Sequence, residues 1–360
     1  PRARAALPAA LREGPSHAYL LQGPPGSGKT AIARAFAGEI LAGGSADPDD
    51  VRRRAALDPS PHPDLIWLKP RGMSHAVAEV RERVIQKAPL KPFEAERRVF
   101  VIEAAEALND EAQNAMLKTL EEPPPHAHLL LLSAEAEGVL PTIASRCQRI
   151  GLEALPVELI RSELAARPGG ADLPAERVEA ASRLAQGDLG RARLLARERG
   201  GQIRAAVEAM MAGALDDRLA DLPWLAVLAL AKDTGDQAGE RVAAELNGQV
   251  EEGIKRTKTE IDEAVKRAQR KARTAVLDLS LSLAAAWARD WVCVLSGAPE
   301  LAFNADRLDL LREQAGRIEL PAARDAVGIV ADTRRRFQLN VSEELALEAM
   351  TFRLEERLRG

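Results

Sequence analysis

Nothing in the sequence restricts the fold more than residues 22–30, QGPPGSGKT. Gly23, Gly26, Gly28, Lys29 and Thr30 fill every fixed position of the G-x-x-x-x-G-K-[ST] phosphate loop. The apolar run HAYLLQ precedes it, and TAIARAFAGEILAG follows with helical periodicity and a terminal glycine pair. Strand, glycine loop and helix in that order are the context the motif needs. The glycines let backbone N–H groups turn toward phosphate oxygens, and the helix N-terminus adds partial positive charge. Residues 23–30 (Gly23, Pro24, Pro25, Gly26, Ser27, Gly28, Lys29, Thr30) are the expected nucleotide cradle. Lys29 is expected to reach the β- and γ-phosphates, and the Thr30 hydroxyl to hold magnesium. The expected cofactor is ATP or ADP with magnesium.

Such a loop needs a parallel sheet around it. DLIWLKP, RRVFVIEAA, HLLLLSA and the end of LPTIASRCQRIGL read as further strands, the third strand apolar throughout as a doubly covered strand should be. SHAVAEVRERVIQKA reads as an amphipathic helix with Val77, Val80, Val84 and Ile85 on one side. NDEAQNAMLKTLEEP reads as a helix capped by Asn109. Residues 44–63, rich in Pro, Asp and Arg, read as a loop with at most one helical turn. Strands and helices alternate through about residue 150 and imply an α/β unit. Beyond residue 152 the strand signal almost vanishes, so the expected fold class is α/β followed by all-α. Boundaries are expected near 151 and 204.

The third strand ends in Glu103-Ala104. P-loop ATPases of this sheet type place one acid there for magnesium and a second beside it to polarise the attacking water. Glu103 is suited to the first task, unless it is only a solvated strand-end acid. Ala104 cannot perform the second, and water positioning is a large part of phosphoryl transfer. Glu106 lies past the strand end and is expected to point elsewhere; rescue of hydrolysis by it is the alternative. Arg146 precedes the fifth strand and is expected on the nucleotide's side of the sheet. It is either a finger for a neighbour's γ-phosphate or a surface arginine pairing with Glu121 or Glu122.

Composition removes other classes. Aromatic residues make up 3 % of the 360, too few for a surface that stacks successive bases. The net charge of −4 requires any nucleic-acid contact to come from a local patch. LKPRG (68–72) and the basic stretch from Lys255 to Arg273 are candidates, the latter flanked by Glu260, Asp262 and Glu263. The two cysteines, Cys147 and Cys293, show no ligand spacing, so neither a disulfide nor a zinc site is expected. Residues 1–20 lack the apolar core of a signal peptide, and the apolar run 281–295 is broken by Arg289 and Asp290. A cytoplasmic protein without membrane contact is expected.

HAYLLQGPPGSGKTAIARAFA, HPDLIWL, NAMLKTLEEPP and LPTIASRC together resemble the clamp-loader branch of the AAA+ ATPases, with LKTLEEPP and SRC the specific signature. The resemblance implies an AAA+ nucleotide-binding domain over 1–151, a helical lid over 152–203 and a helical collar for oligomerisation over 204–360. It implies a heteropentamer with gamma/tau motor and delta subunits that loads a sliding clamp onto primed DNA during replication. It points to the stator, which holds nucleotide, hydrolyses little and lends Arg146 in trans. Three features favour the stator over the alternative, an active gamma/tau-like motor: Ala104, Gly190 where a motor carries its second sensor arginine (Arg191 follows), and a collar pattern Asn340…Leu345…Leu347-Glu348. The resemblance sets the first sensor at Ser133. A small-molecule P-loop kinase fits poorly with the long helical C-terminal third. The sequence departs from the family in lacking its four zinc-binding cysteines.

Overall fold

The computed structural model describes residues 2–70, 74–134, 138–166, 173–251, 257–337 and 341–359. The chain divides into two compact units, 1–156 with 187–189 and 157–186 with 190–360.

The first unit is built on five parallel strands: β1 (Ala18–Gln22), β2 (Leu65–Leu68), β3 (Arg98–Ile102), β4 (Ala127–Ser133) and β5 (Gln148–Gly151). Their order is β2-β3-β4-β1-β5. Side chains alternate across the sheet. Ala18 and Leu20 of β1 enter one core with Val80, Val84, Met116 and Leu120. Tyr19 and Leu21 enter the other with Phe36, Ile40 and Leu41 of helix Lys29–Ala42. There the Tyr19 and Phe36 rings meet edge to face, with centroids 4.9 Å apart. Val77 and Ile85 pack against the first core, as the periodicity requires. Their segment is α-helical only over Val77–Val80 and continues as a wider turn of π-helix, Arg81–Ile85. Asn109 caps helix Asp110–Glu121 through Oδ1, which accepts from Ala112 N at 2.9 Å.

Residues 44–63 are more ordered than their composition suggests. Pro48–Ala56 is a full helix, capped by Asp47 and with Pro48 in its first turn. Both residues are helix starters as well as loop residues. Val51 and Ala55 join the sheet core. Arg34 ties the segment down: its guanidinium donates to the Leu57 carbonyl, pairs with Asp58 at 3.5 Å and stacks 4.3 Å over the Trp67 ring.

The second unit is helical throughout its described residues. Its longest helix, Lys258–Leu295, opens on a Thr257/Glu260 capping box. Toward its C-terminus Trp287 and Trp291 are fully buried, and both indole N–H groups donate to Gln314 Oε1 at 3.0 Å. Asp290, also fully buried, accepts from Phe303 N, Asn304 N and Asn304 Nδ2 at 2.8–2.9 Å. Leu347 is buried and Leu345 exposed; Asn340 lies outside the described residues. Among the described residues, no helix is long and apolar enough to cross a membrane.

Candidate nucleotide site

In a parallel sheet, chain reversals after the strands gather at one end, and ligands bind where neighbouring connections diverge. Here that point is β1, whose partners are β4 and β5. The loop 23–28 leaves β1 at this end. Gly26 and Gly28 take φ of +77° and +86°, which place them in the left-handed region. A Cβ on Gly26 would sit 2.1 Å from Asp188 Cβ, so the loop has no space for a side chain there. The Ser27 hydroxyl is buried without a hydrogen-bond partner. Lys29 Nζ folds back to donate to Gly23 O at 2.5 Å and Pro24 O at 2.9 Å. Burial pulls the Lys29 pKa below its ordinary value, and the charges of Glu106 and Asp188 oppose that shift. A loop of backbone donors, an unmatched hydroxyl and a desolvated ammonium suit a polyphosphate chain.

The end of β4 adjoins this loop. Ser133 pairs with Gln22, is fully buried, and accepts from Gly23 N at 3.2 Å. Thr30 is exposed in the first turn of its helix. Glu103 follows β3 at the same end of the sheet, but its Oε1 accepts from Trp67 Nε1 at 2.7 Å. The Thr30 hydroxyl and the Glu103 carboxylate are oxygen donors of the kind magnesium takes. Arg191 belongs to the second unit, on helix Leu189–Leu195.

Two expectations are corrected. Glu106 does not point away. Ala104 adopts φ 50°, the next three residues close a 3₁₀ turn, and Glu106 Oε1 accepts from Ala134 N at 3.0 Å, directly after Ser133. Arg146 is not at the nucleotide's end of the sheet. β5 runs parallel to β1 with Gln148 beside Tyr19, so a residue two before Gln148 lies at the opposite end from the loop. Three strand steps alone separate these ends by about 10 Å. There Arg146 donates to Thr142 O at 2.8 Å and to Glu121 Oε1 at 2.6 Å, with its side chain 36 % exposed.

Asp188 and Trp67 escaped the sequence reading. Asp188 is more than 150 positions from the loop it faces, and no local pattern links the two. Trp67 was visible only as a strand residue. Of the basic stretches, Lys69 pairs with Asp58 at 2.6 Å and Arg273 with Glu343, while Arg71, Gly72, Lys255 and Arg256 lie outside the described residues.

The sheet order, phosphate loop and helical second unit are those of a P-loop α/β unit followed by an all-α unit. Residues 6–156 match the family model described as DNA polymerase III, delta subunit. The chain is 37 % identical over 188 residues to DNA polymerase III subunit delta' of Pseudomonas aeruginosa, covering 45 % of this chain and 56 % of that one. It is 30 % identical over 151 residues to the delta' subunit of Bacillus subtilis, covering 41 % and 46 %. It is 33 % identical over 153 residues to the gamma/tau subunit of Mycobacterium tuberculosis, covering 42 % and 26 %. Over its first unit, therefore, the chain is similar to DNA polymerase III delta' and gamma/tau subunits. It spans about half the length of the delta' relatives and a quarter of that gamma/tau subunit.

Proposed function

We propose that this chain is the stator of a DNA polymerase III clamp loader. On this reading residues 23–30 hold a nucleotide, with Ser133 and Arg191 as further contacts and magnesium on Thr30 and Glu103. Little hydrolysis follows, because Ala104 supplies no carboxylate beside Glu103. Arg146 serves a neighbouring gamma/tau motor's ATP in trans, and residues 152–203 and 204–360 act as lid and collar. The partners are gamma/tau and delta subunits, with the sliding clamp and primed DNA reached through the complex in the cytoplasm.

The observation that carries this reading is the position of Arg146. It sits at the sheet end away from its own phosphate loop, half-buried, and among the described residues it is held by Glu121 and a backbone carbonyl. An arginine so placed cannot serve its own nucleotide, and an exposed ion pair of this kind costs little to exchange for a partner's phosphate. A finger supplied in trans accelerates hydrolysis by roughly 10³–10⁵.

The test is ATP turnover by the reconstituted loader with clamp and primed DNA. Arg146→Ala in this subunit should slow turnover strongly, while Lys29→Ala should change it little. The second reading, an active motor, is favoured by the gamma/tau similarity. It requires Lys29→Ala to remove a full site's share, and steady-state hydrolysis by the isolated chain.

A further inference from the structure

One carboxylate at the nucleotide end has no role in the reading above. Glu106 is carried back over the strand ends by the left-handed turn at Ala104. Ala134 N fixes its Oε1, and its Oε2 is buried without a hydrogen-bond partner. The neighbouring loop is shaped around it, since a Cβ on Gly138 would come 2.4 Å from Glu106 Cβ. Its charge acts on Lys29, as does that of Asp188. The loop lysine is therefore already supplied with acceptors and counter-charge by the protein: two loop carbonyls and two carboxylates.

In a phosphate loop the lysine serves the β- and γ-phosphates. A carboxylate fixed at the end of β4, beside Ser133, costs a diphosphate little. A terminal phosphate brings further negative charge to the same end of the sheet, and the repulsion acts in a partly buried site where screening is weak. We propose that Glu106 is the specificity-determining residue of this site, biasing it toward nucleoside diphosphate over triphosphate. The proposal rests on the reading that residues 23–30 hold a nucleotide. It gives the stator a physical reason to keep spent nucleotide: the site is filled without fuel to burn.

The experiment is equilibrium binding of ADP and a non-hydrolysable ATP analogue, each with magnesium, to the full chain and to Glu106→Gln and Glu106→Ala. Glutamine keeps an acceptor for Ala134 N and removes the charge; alanine removes both. Wild type should bind ADP more tightly than the triphosphate. Glu106→Gln should shift the ratio of affinities toward triphosphate by about tenfold, and Glu106→Ala should shift it in the same direction. A ratio unchanged within twofold in Glu106→Gln, with both nucleotides still bound, overturns this inference and leaves the nucleotide site standing. A ratio that moves toward ADP also overturns it. Wild type that binds neither nucleotide overturns the underlying reading along with it.

Discussion

Asp64 is the most heavily engaged acid in the first unit, and removing its charge should unfold that unit before the other. The carboxylate is fully buried. It accepts from Phe93 N at 2.7 Å, Glu94 N at 2.9 Å, Ala95 N at 3.1 Å and the Arg98 guanidinium at 3.0 and 3.2 Å. Arg98 in turn donates to the carbonyls of Lys87, Leu90 and Lys91. One ion pair thus fastens the whole loop between the π-helical turn and β3. Asp64→Asn keeps the shape but leaves Arg98 buried without its counter-charge and turns an amide toward backbone donors. Breaking a buried pair from one side costs about 3–5 kcal/mol. With a urea dependence of about 2 kcal/mol per molar, the midpoint should fall by roughly 1.5–2.5 M. Hydrogen exchange of β3 and β4 peptides across a urea series reads this unit alone. The exposed pair Arg81–Glu111 is the control, and Glu111→Gln should leave the midpoint where it was. Burial alone would raise the Asp64 pKa, but the backbone N–H groups of Glu94, Phe93 and Ala95, with Arg98, outweigh it and hold the value below the ordinary one. The contribution is therefore complete above about pH 4 and is lost as pH falls through the lowered value. The deficit of the variant should be constant from pH 5 to 7 and shrink only in stronger acid. A midpoint within 0.5 M of wild type near neutrality, by the same estimate, would refute the assignment of Asp64–Arg98 as the fastening.

Three further outcomes follow from the geometry. Gly26→Ala places a Cβ into Asp188 at a residue with φ +77°, and should abolish nucleotide binding measured by titration with a fluorescent analogue; Gly151→Ala, with open space around it, should not. Gln314→Leu strands two buried indole N–H groups at about 1–3 kcal/mol each, so calorimetry should show lower thermal stability of the helical unit, and an unchanged transition would remove Gln314 as the acceptor of both. His128 is buried, and desolvation lowers its pKa. Its stabilising effect is present above about pH 6.5 and declines as pH falls through its lowered value. His128→Gln should therefore flatten the acid limb of stability against pH by up to about 1.4 kcal/mol per pH unit, the value for one proton.

What was legible in the sequence was what is local. The phosphate loop, its flanking strand and helix, the doubly covered β3 and the Asn109 cap each depend on residues within a few positions of one another. The helix Pro48–Ala56 was hidden because Asp47 and Pro48 serve loops and helix starts alike; what decides between them is a long-range clamp by Arg34 and Trp67. Glu106 was misplaced because its direction depends on the backbone of Ala104, and a non-glycine residue with positive φ leaves no mark in a sequence. Asp188 reaches the loop only through the fold. The error over Arg146 was one of topology. Residues before a parallel strand lie at the end opposite to those after it, and the pairing of β5 with β1 was needed to apply that rule.

That topology has a consequence for the assembly. A parallel sheet concentrates phosphate-facing groups where its strands end, and Lys29, Ser133 and Glu106 all lie there. The other end is free of them, and Arg146 occupies it with Glu121. On the stator reading the two ends therefore act on different nucleotides, one held by this chain and one by its neighbour. Among the described residues they share no hydrogen-bond partner, and they are separated by at least the length of β1. Effects of substitutions so separated add in free energy to within about 0.5 kcal/mol. In the reconstituted loader, Lys29→Ala combined with Arg146→Ala should change turnover by the product of the two single effects. A double variant no slower than Arg146→Ala alone, when Lys29→Ala by itself is slow, would mean that both residues serve one site. Then Arg146 would be completing its own chain's pocket, and the division of labour between the ends of the sheet would be wrong.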